Sequence, residues 1–388
     1  MMSFRTPACR RTPFARATVA IFVGWVFAFV WPSHGAAPDR PAPKAGHGFA
    51  YHHDEVSRGP WSIHIVKVNR SHPDLELQTT LPKGHRFGLA TLSEQAITVS
   101  PEFGRPVAAL NGDYFNKNPH LGDPKGLQIS QGELISGPCD WTCFWIDAQG
   151  NPHMTNVEPR FTVTWPDGSQ TPLGLNEERT RSAAILYTSV IGPSTRTSGG
   201  REMILERNGT NAWLPLRPGQ TYSARVKEVR TSGDTVLHKD ILVLSLGKQL
   251  DARAPKVTAG SVLQISTETS PSLAGASMGI GGGPAIVRDG KAVARTEMYV
   301  RHPRAAIGWN RDFFFLVEVD GRQRNLSVGM TLPEFADYLV KLGCTEAMNL
   351  DGGGSATFWV YGQVMNSPSE GHERGMANAL VLIQKEKR

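Results

Sequence analysis

Apolar and polar positions alternate over residues 61–68 and 75–81, which predicts two strands with one face buried. Thr91 with Glu94 three residues on carries a capping-box signature, so a short helix is expected from Leu92 to Ser100. The apolar run 107–110 predicts a buried strand that leads into Asn111-Gly112-Asp113-Tyr114-Phe115-Asn116. From there to about residue 275, short apolar stretches are broken by Gly, Pro, Asn and Asp. Strands are expected at 161–165, 182–187, 202–206, 222–229, 241–245 and 262–266, with no helix-period stretch among them.

The last third changes character. Strands at 285–287 and 291–294 flank the turn Arg288-Asp289-Gly290, and 313–319 predicts a strand ending at Asp320-Gly321. Thr331 and Glu334 form a second capping box. Phe335, Ala336, Leu339 and Val340 then recur at helical spacing until Gly343. Strands at 347–350 and 356–360 bracket Asp351-Gly352-Gly353-Gly354-Ser355. The fold class expected is α+β, with mixed, β-rich sheets and a few helices.

The +6 formal charge of the 388-residue chain argues less for nucleic acid than it first suggests. Arg5, Arg10, Arg11 and Arg16 lie in the first 36 residues, which hold no acid; without them, 37 basic residues face 35 acidic ones. That leader has a basic stretch, an apolar run from Ala17 to Trp31, and small residues at Ser33, Gly35, Ala36 and Ala37. The run is shorter than the roughly 20 residues of a membrane span. Residues 1–36 are therefore expected to be a signal peptide and 37–50 a flexible leader. The rest, 51–388, is expected to be one domain with a β-rich middle (155–275) and a motif-bearing C-terminal part (276–388). A periplasmic or secreted location follows, with no stable membrane insertion once the signal is removed. Cys139 and Cys143 are close enough in sequence for a small disulfide in an oxidising compartment, and Cys344 reads as a buried thiol. His52-His53 reads as a solvated strand start.

Three glycines after an acid, between two apolar stretches, carry an entropic cost and call for a reason. One is close approach of backbone N–H groups at Gly352, Gly353 and Gly354 to an anion or sugar oxygen; the other is a plain turn. Gly281-Gly282-Gly283-Pro284 offers the same choice. Arg301-His302-Pro303-Arg304 sets two guanidiniums before an apolar stretch, and guanidinium grips phosphate with paired hydrogen bonds. Asp113, Asp351 and Glu370 are acids in turn or glycine-rich settings, as general acid–base carboxylates often are.

These segments resemble the phosphodiester glycosidase family, that of N-acetylglucosamine-1-phosphodiester α-N-acetylglucosaminidase (the uncovering enzyme) and its bacterial relatives. The resemblance rests on Arg301 to Gly308, Val319-Asp320-Gly321-Arg322, Gly329-Met330-Thr331-Leu332 and Asn349 to Thr357. It continues through Asn366-Ser367-Pro368-Ser369-Glu370-Gly371, Glu373-Arg374 and Ala377-Asn378-Ala379-Leu380, with Asn111 to Phe115 and Gly281-Gly283-Pro284 upstream. Asp113-Tyr114 stand where the family commonly has Gly-Phe, and Glu370 where it usually has Asp. The resemblance implies an exported hydrolase that cleaves a sugar-1-phosphodiester linkage in an envelope or extracellular glycan. It implies Asp351 as the essential carboxylate with Glu370 as second candidate, and Arg304, Arg301 and the Gly281–Gly283 amides on the phosphate. Asn111 and Asp113 would hold sugar hydroxyls; Gly352, Gly353, Gly354, Ser355, Ser369, Arg374 and Asn378 complete the substrate site. Three alternatives remain at this level: a glycosidase acting on a phosphate-free exopolysaccharide linkage, a non-catalytic protein that binds anionic polysaccharide, and a phosphodiesterase that cleaves phosphorus–oxygen and releases sugar phosphate. The expected partner is a glycan or glycosyl phosphate, not nucleic acid, and no cofactor is required. Asp351 with Asn349 offers oxygens for a divalent cation, without a ligand pattern for one.

Overall fold

The strand Phe313–Val319 shows how alternation builds the layers. Phe313, Phe315, Val317 and Val319 face one core, while Phe314 and Leu316 face another. In the computed structural model, which describes residues 48–57, 59–82, 85–210, 212–294 and 299–385, this strand lies inside a seven-stranded sheet. Its order is Phe49–Val56, Trp61–Asn69, Phe313–Val319, Arg304–Trp309, Glu346–Asn349, Ala285–Arg288, Lys291–Ala292, with antiparallel neighbours throughout. The expected signal and most of the leader lie outside the described residues.

The helix Leu332–Leu342 covers the first face of this sheet through Leu332, Phe335, Ala336 and Leu339. Eleven residues make a marginal helix in isolation. Burial of three large apolar side chains, roughly 1.5–3 kcal/mol each, holds it in place. Both ends follow the sequence: Thr331 and Glu334 close a reciprocal capping box, and Gly343 takes a left-handed conformation at φ 96°. The second face packs on a five-stranded sheet ordered Gln363–Val364, Phe358–Val360, Arg105–Asn111, Ala379–Gln384, Leu75–Thr80. A short helix, Leu92–Ile97, lies on the far side of that sheet.

A further five-stranded sheet shares the central core through Phe144, Met278 and Ile280. Through Leu127, Ile129 and Trp145 it packs against an eight-stranded sheet whose strands all fall within residues 158–270. The mixed, strongly β-rich class read from the pattern is what the chain adopts. Differences are local. The first helix stops at Ile97, short of Ser100, because Pro101 disfavours helical backbone in the residue before it, and a 3-10 turn, Pro101–Phe103, follows. Phe49–Val56 is a strand that the alternation did not announce: it is an edge strand with Tyr51 to Glu55 largely polar, and it carries His52 and His53 on its exposed surface. Cys139 and Cys143 form no disulfide with each other, and Cys344 is a buried thiol. Among the described residues, no helix is long and apolar enough to cross a membrane.

Candidate active site

The strand Arg105–Asn111, the loop after Glu346–Asn349 and the segment before Ala379–Gln384 meet at one end of the central layers. Backbone contacts lock them: Asp351 N–H donates to Gly112 O at 3.0 Å. Asn111 Nδ2 donates to Asp351 O at 2.7 Å, and Asn111 Oδ1 accepts from Thr357 N–H at 3.2 Å. Asn378 Oδ1 accepts from Asp113 N–H at 2.8 Å, and Asn378 Nδ2 donates to Gln128 Oε1 at 2.7 Å. Both asparagines are 0% exposed. They brace loops, and neither side chain reaches solvent.

Asp113 is buried beneath this junction. Its carboxylate accepts from Tyr114 N–H at 2.7 Å and from Gly126 N–H at 2.8 Å. Burial outweighs these bonds and, with Asp351 adding repulsion, pushes the carboxyl up to about 7. Asp351 is half-buried; its Oδ1 accepts from Gly352 N–H at 2.9 Å, and Ser355 also hydrogen-bonds it. Burial raises its pKa as well, against the pull of Ser355, Gly352, Arg374 and Lys125.

The glycines are explained by packing more than by free amides. A Cβ on Gly281 would run into Asp113 Oδ2, and one on Gly282 would sit 2.8 Å from Asn349 O. Gly281 N–H donates to Leu127 O and Gly283 N–H to Asn349 O, so these two amides do not face a phosphate as expected. In the second loop, Gly352 N–H is taken by Asp351 and Gly353 N–H by Pro303 O. Close approach by side chains is the reason there: Arg322 lies against Gly353, and Arg374 and Glu370 against Gly354.

Those arginines form a cationic wall. Arg304 is buried and donates Nε to Met330 O and Nη2 to Val300 O, each at 3.0 Å; Tyr114 and Arg322 are close enough to perturb it. Arg374 pairs with Glu370, and its Nη1 lies 3.5 Å from Ser355 Oγ. Glu370 is exposed, and Arg374 beside it holds its carboxyl below the usual range. Ser369 Oγ reaches Gly353 O at 3.5 Å. Arg301 stands apart: its exposed guanidinium is paired with Glu334 of the capping box, and no contact joins it to Asp113 or Asp351.

Four neighbours were not assigned from sequence. Tyr114 OH accepts from Asn349 Nδ2 at 3.2 Å and meets Trp141 edge-on with ring centroids 5.3 Å apart. Lys125 lies over Trp141 and draws down both Asp113 and Asp351. Arg322 Nη2 is 3.3 Å from His302 Nδ1. The Val319-Asp320-Gly321-Arg322 motif was a signal for Arg322; nothing in the pattern marked Lys125.

Fold and site together define a β-rich protein in which two acids, Asp113 and Asp351, lie close to a cluster of arginines. Residues 217–383 match the family model described as phosphodiester glycosidase, which supports that family for this part of the chain. A 68-residue stretch, 17% of this chain, is 41% identical to N-acetylglucosamine-1-phosphodiester alpha-N-acetylglucosaminidase of Bos taurus. The chain spans only 13% and 12% of the length of the curated relatives it matches. A hypothetical protein from Synechocystis, 22% identical, aligns with a TM-score of 0.70 over 89% of this chain and 64% of its own. A protein from Burkholderia pseudomallei K96243 that carries an exported-protein name, 23% identical, aligns with a TM-score of 0.65 over 84% of this chain and 74% of its own. At those identities the structures speak for the fold alone.

Proposed function

We propose that the protein is an exported glycosidase that hydrolyses a sugar-1-phosphodiester, acting on an envelope or extracellular glycan in the periplasm or outside the cell. One observation carries the proposal: two carboxylates of raised pKa, Asp113 and Asp351, lie beside a wall formed by Arg304, Arg322 and Arg374. Guanidiniums suit a phosphate, and their charge stabilises the leaving group as the carbon–oxygen bond breaks. Asp351, half-buried at the opening, is the carboxylate that activates water or stabilises an oxocarbenium-like transition state. Asp113 behind it keeps its proton up to about pH 7 and so limits the negative charge held at the site. The bovine relative's printed name, an N-acetylglucosamine-1-phosphodiester glycosidase, supports the same substrate class.

The test is hydrolysis of α-glycosyl-1-phosphodiesters, nucleotide sugars first, in oxygen-18 water. Label in the free sugar, absent with Asp351→Asn, is the expected result. Label in a phosphate product would mean phosphorus–oxygen cleavage and would overturn the proposal; no turnover across the panel would turn it toward polysaccharide binding.

A further inference from the structure

A second cluster of ionisable groups lies away from the glycine loops, between the seven-stranded sheet and the sheet behind it. His64 and Glu318 are direct partners on adjacent antiparallel strands, and Asp320 follows two residues on. Glu318 occupies the same face as Phe314 and Leu316 and so points into the core, where Phe358 packs near His64. His64 is 3% exposed, Glu318 0% and Asp320 1%. One nitrogen or oxygen from each lies within 4.8 Å of the others, and His64 Nε2 is 3.3 Å from Asp320 Oδ2.

Asp320 is well supplied with donors. Its Oδ1 accepts from Ser367 N–H at 2.8 Å and Asn366 Nδ2 at 3.3 Å, and its Oδ2 accepts from Ser62 Oγ at 2.9 Å. Glu318 has no such support: neither carboxylate oxygen has a hydrogen-bond partner of good geometry. Asn366 is the nearby amide, but its donors are engaged by Asp320 and by Ala356 O at 3.2 Å. Among the described residues, no lysine or arginine pairs with either carboxylate. An ionised carboxylate left unpartnered at this depth is strongly disfavoured, so something of positive charge should answer it.

We propose that His64, Glu318 and Asp320 form a buried divalent-metal site, with zinc or manganese the ions that suit one imidazole and two carboxylates. Tyr51 supplies the outer support. Its hydroxyl is 2.8 Å from His64 Nδ1, so an Nδ1–H donated to Tyr51 leaves Nε2 unprotonated and turned toward the ion. Such an ion would fasten the strand Trp61–Asn69 to Phe313–Val319. Through the bonds from Asp320 to Asn366 and Ser367, it would also steady the segment that carries Glu370 and Arg374. Without an ion, burial keeps Glu318 as a neutral acid beside Asp320, and a proton takes the place of the metal.

Metal content of the purified full chain decides between them. Elemental analysis after growth in metal-replete medium should give near-stoichiometric zinc or manganese. Glu318→Gln should lose the ion, and Tyr51→Phe should weaken binding roughly 10–100-fold in competition with a chromogenic chelator. If Glu318→Gln does not fold, the parent chain still answers. Unfolded, stripped with EDTA and refolded with zinc ions, with manganese ions or with EDTA, it should gain a higher unfolding midpoint only with an ion. A parent protein free of metal, midpoints identical with ion and with EDTA, or full metal retention in Glu318→Gln would each overturn the site in favour of the shared proton.

Discussion

Replacing Asp113 by Asn tests the electrostatics of the site through stability, independently of any substrate. The carboxyl ionises near 3.8 in the unfolded chain and at about 7 in the folded one, because burial penalises its charge. The folded pKa is the higher one, so between these values the unfolded state releases the proton while the native state keeps it. Stability contributed by this group is therefore complete at low pH and declines as pH rises, levelling off above about 7. A gap of roughly three pH units is worth about 4 kcal/mol, of which about 2.5 falls between pH 5 and 8. Asp113→Asn removes the titration. It adds a penalty that does not vary with pH, since Asn has one accepting oxygen and its NH2 cannot accept the second of the N–H groups of Tyr114 and Gly126. Urea unfolding of both proteins from pH 5 to 8 gives the difference directly, and groups common to both, such as the similarly raised Asp123, largely cancel. The variant should gain about 2.5 kcal/mol relative to the parent across that range. A difference flat within about 0.5 kcal/mol would refute the claim that Asp113 is held protonated.

Gly281→Ala would drive a methyl toward Asp113 Oδ2 and to 2.7 Å from Gly126 Cα, so a loss of roughly 1–3 kcal/mol in urea unfolding is expected. Arg304→Ala should lower kcat/KM at least about a hundredfold on a glycosyl phosphodiester, whereas Arg301→Ala, which breaks an exposed pair, should change it less than about threefold; equal effects would contradict the geometry. Thr331→Ala should cost about 1 kcal/mol of stability by opening the capping box, with turnover little changed. Glu370→Gln should weaken substrate binding through Arg374 while leaving the shape of the pH–rate profile unaltered; a lost limb of that profile would return Glu370 to the catalytic pair.

Period and caps carried most of the fold in the sequence. Phe313–Val319 and the second helix could be read because a single face had to be apolar, and because Thr331, Glu334 and Gly343 mark the ends chemically. Phe49–Val56 escaped because an edge strand with His52 to Glu55 all exposed shows no alternation. Nor does a pattern say how sheets stack: that the strand Thr142–Ile146 serves the central core through Phe144 and the core beneath the eight-stranded sheet through Cys143 and Trp145 depends on contacts between residues far apart in the chain.

The site was half legible for a related reason. Sequence motifs name residues that meet but do not say which atoms are already engaged. Asn111 and Asn378 look like polar contacts for a sugar, yet burial turns them into braces. Gly281 and Gly283 look like an anion cradle, yet their amides close backbone bonds and their missing side chains make room for Asp113 and neighbouring backbone. Glu370 looks like a partner for Asp351, yet exposure and Arg374 keep it ionised. Asp113, the acid that departs from the commoner Gly of the family motif, is the one the environment holds near neutrality. A carboxylate gains acid function from what surrounds it more than from its place in a motif. Desolvation, the nearby charge of Asp351 and only two backbone donors therefore favour Asp113 over Glu370 as the group paired with Asp351.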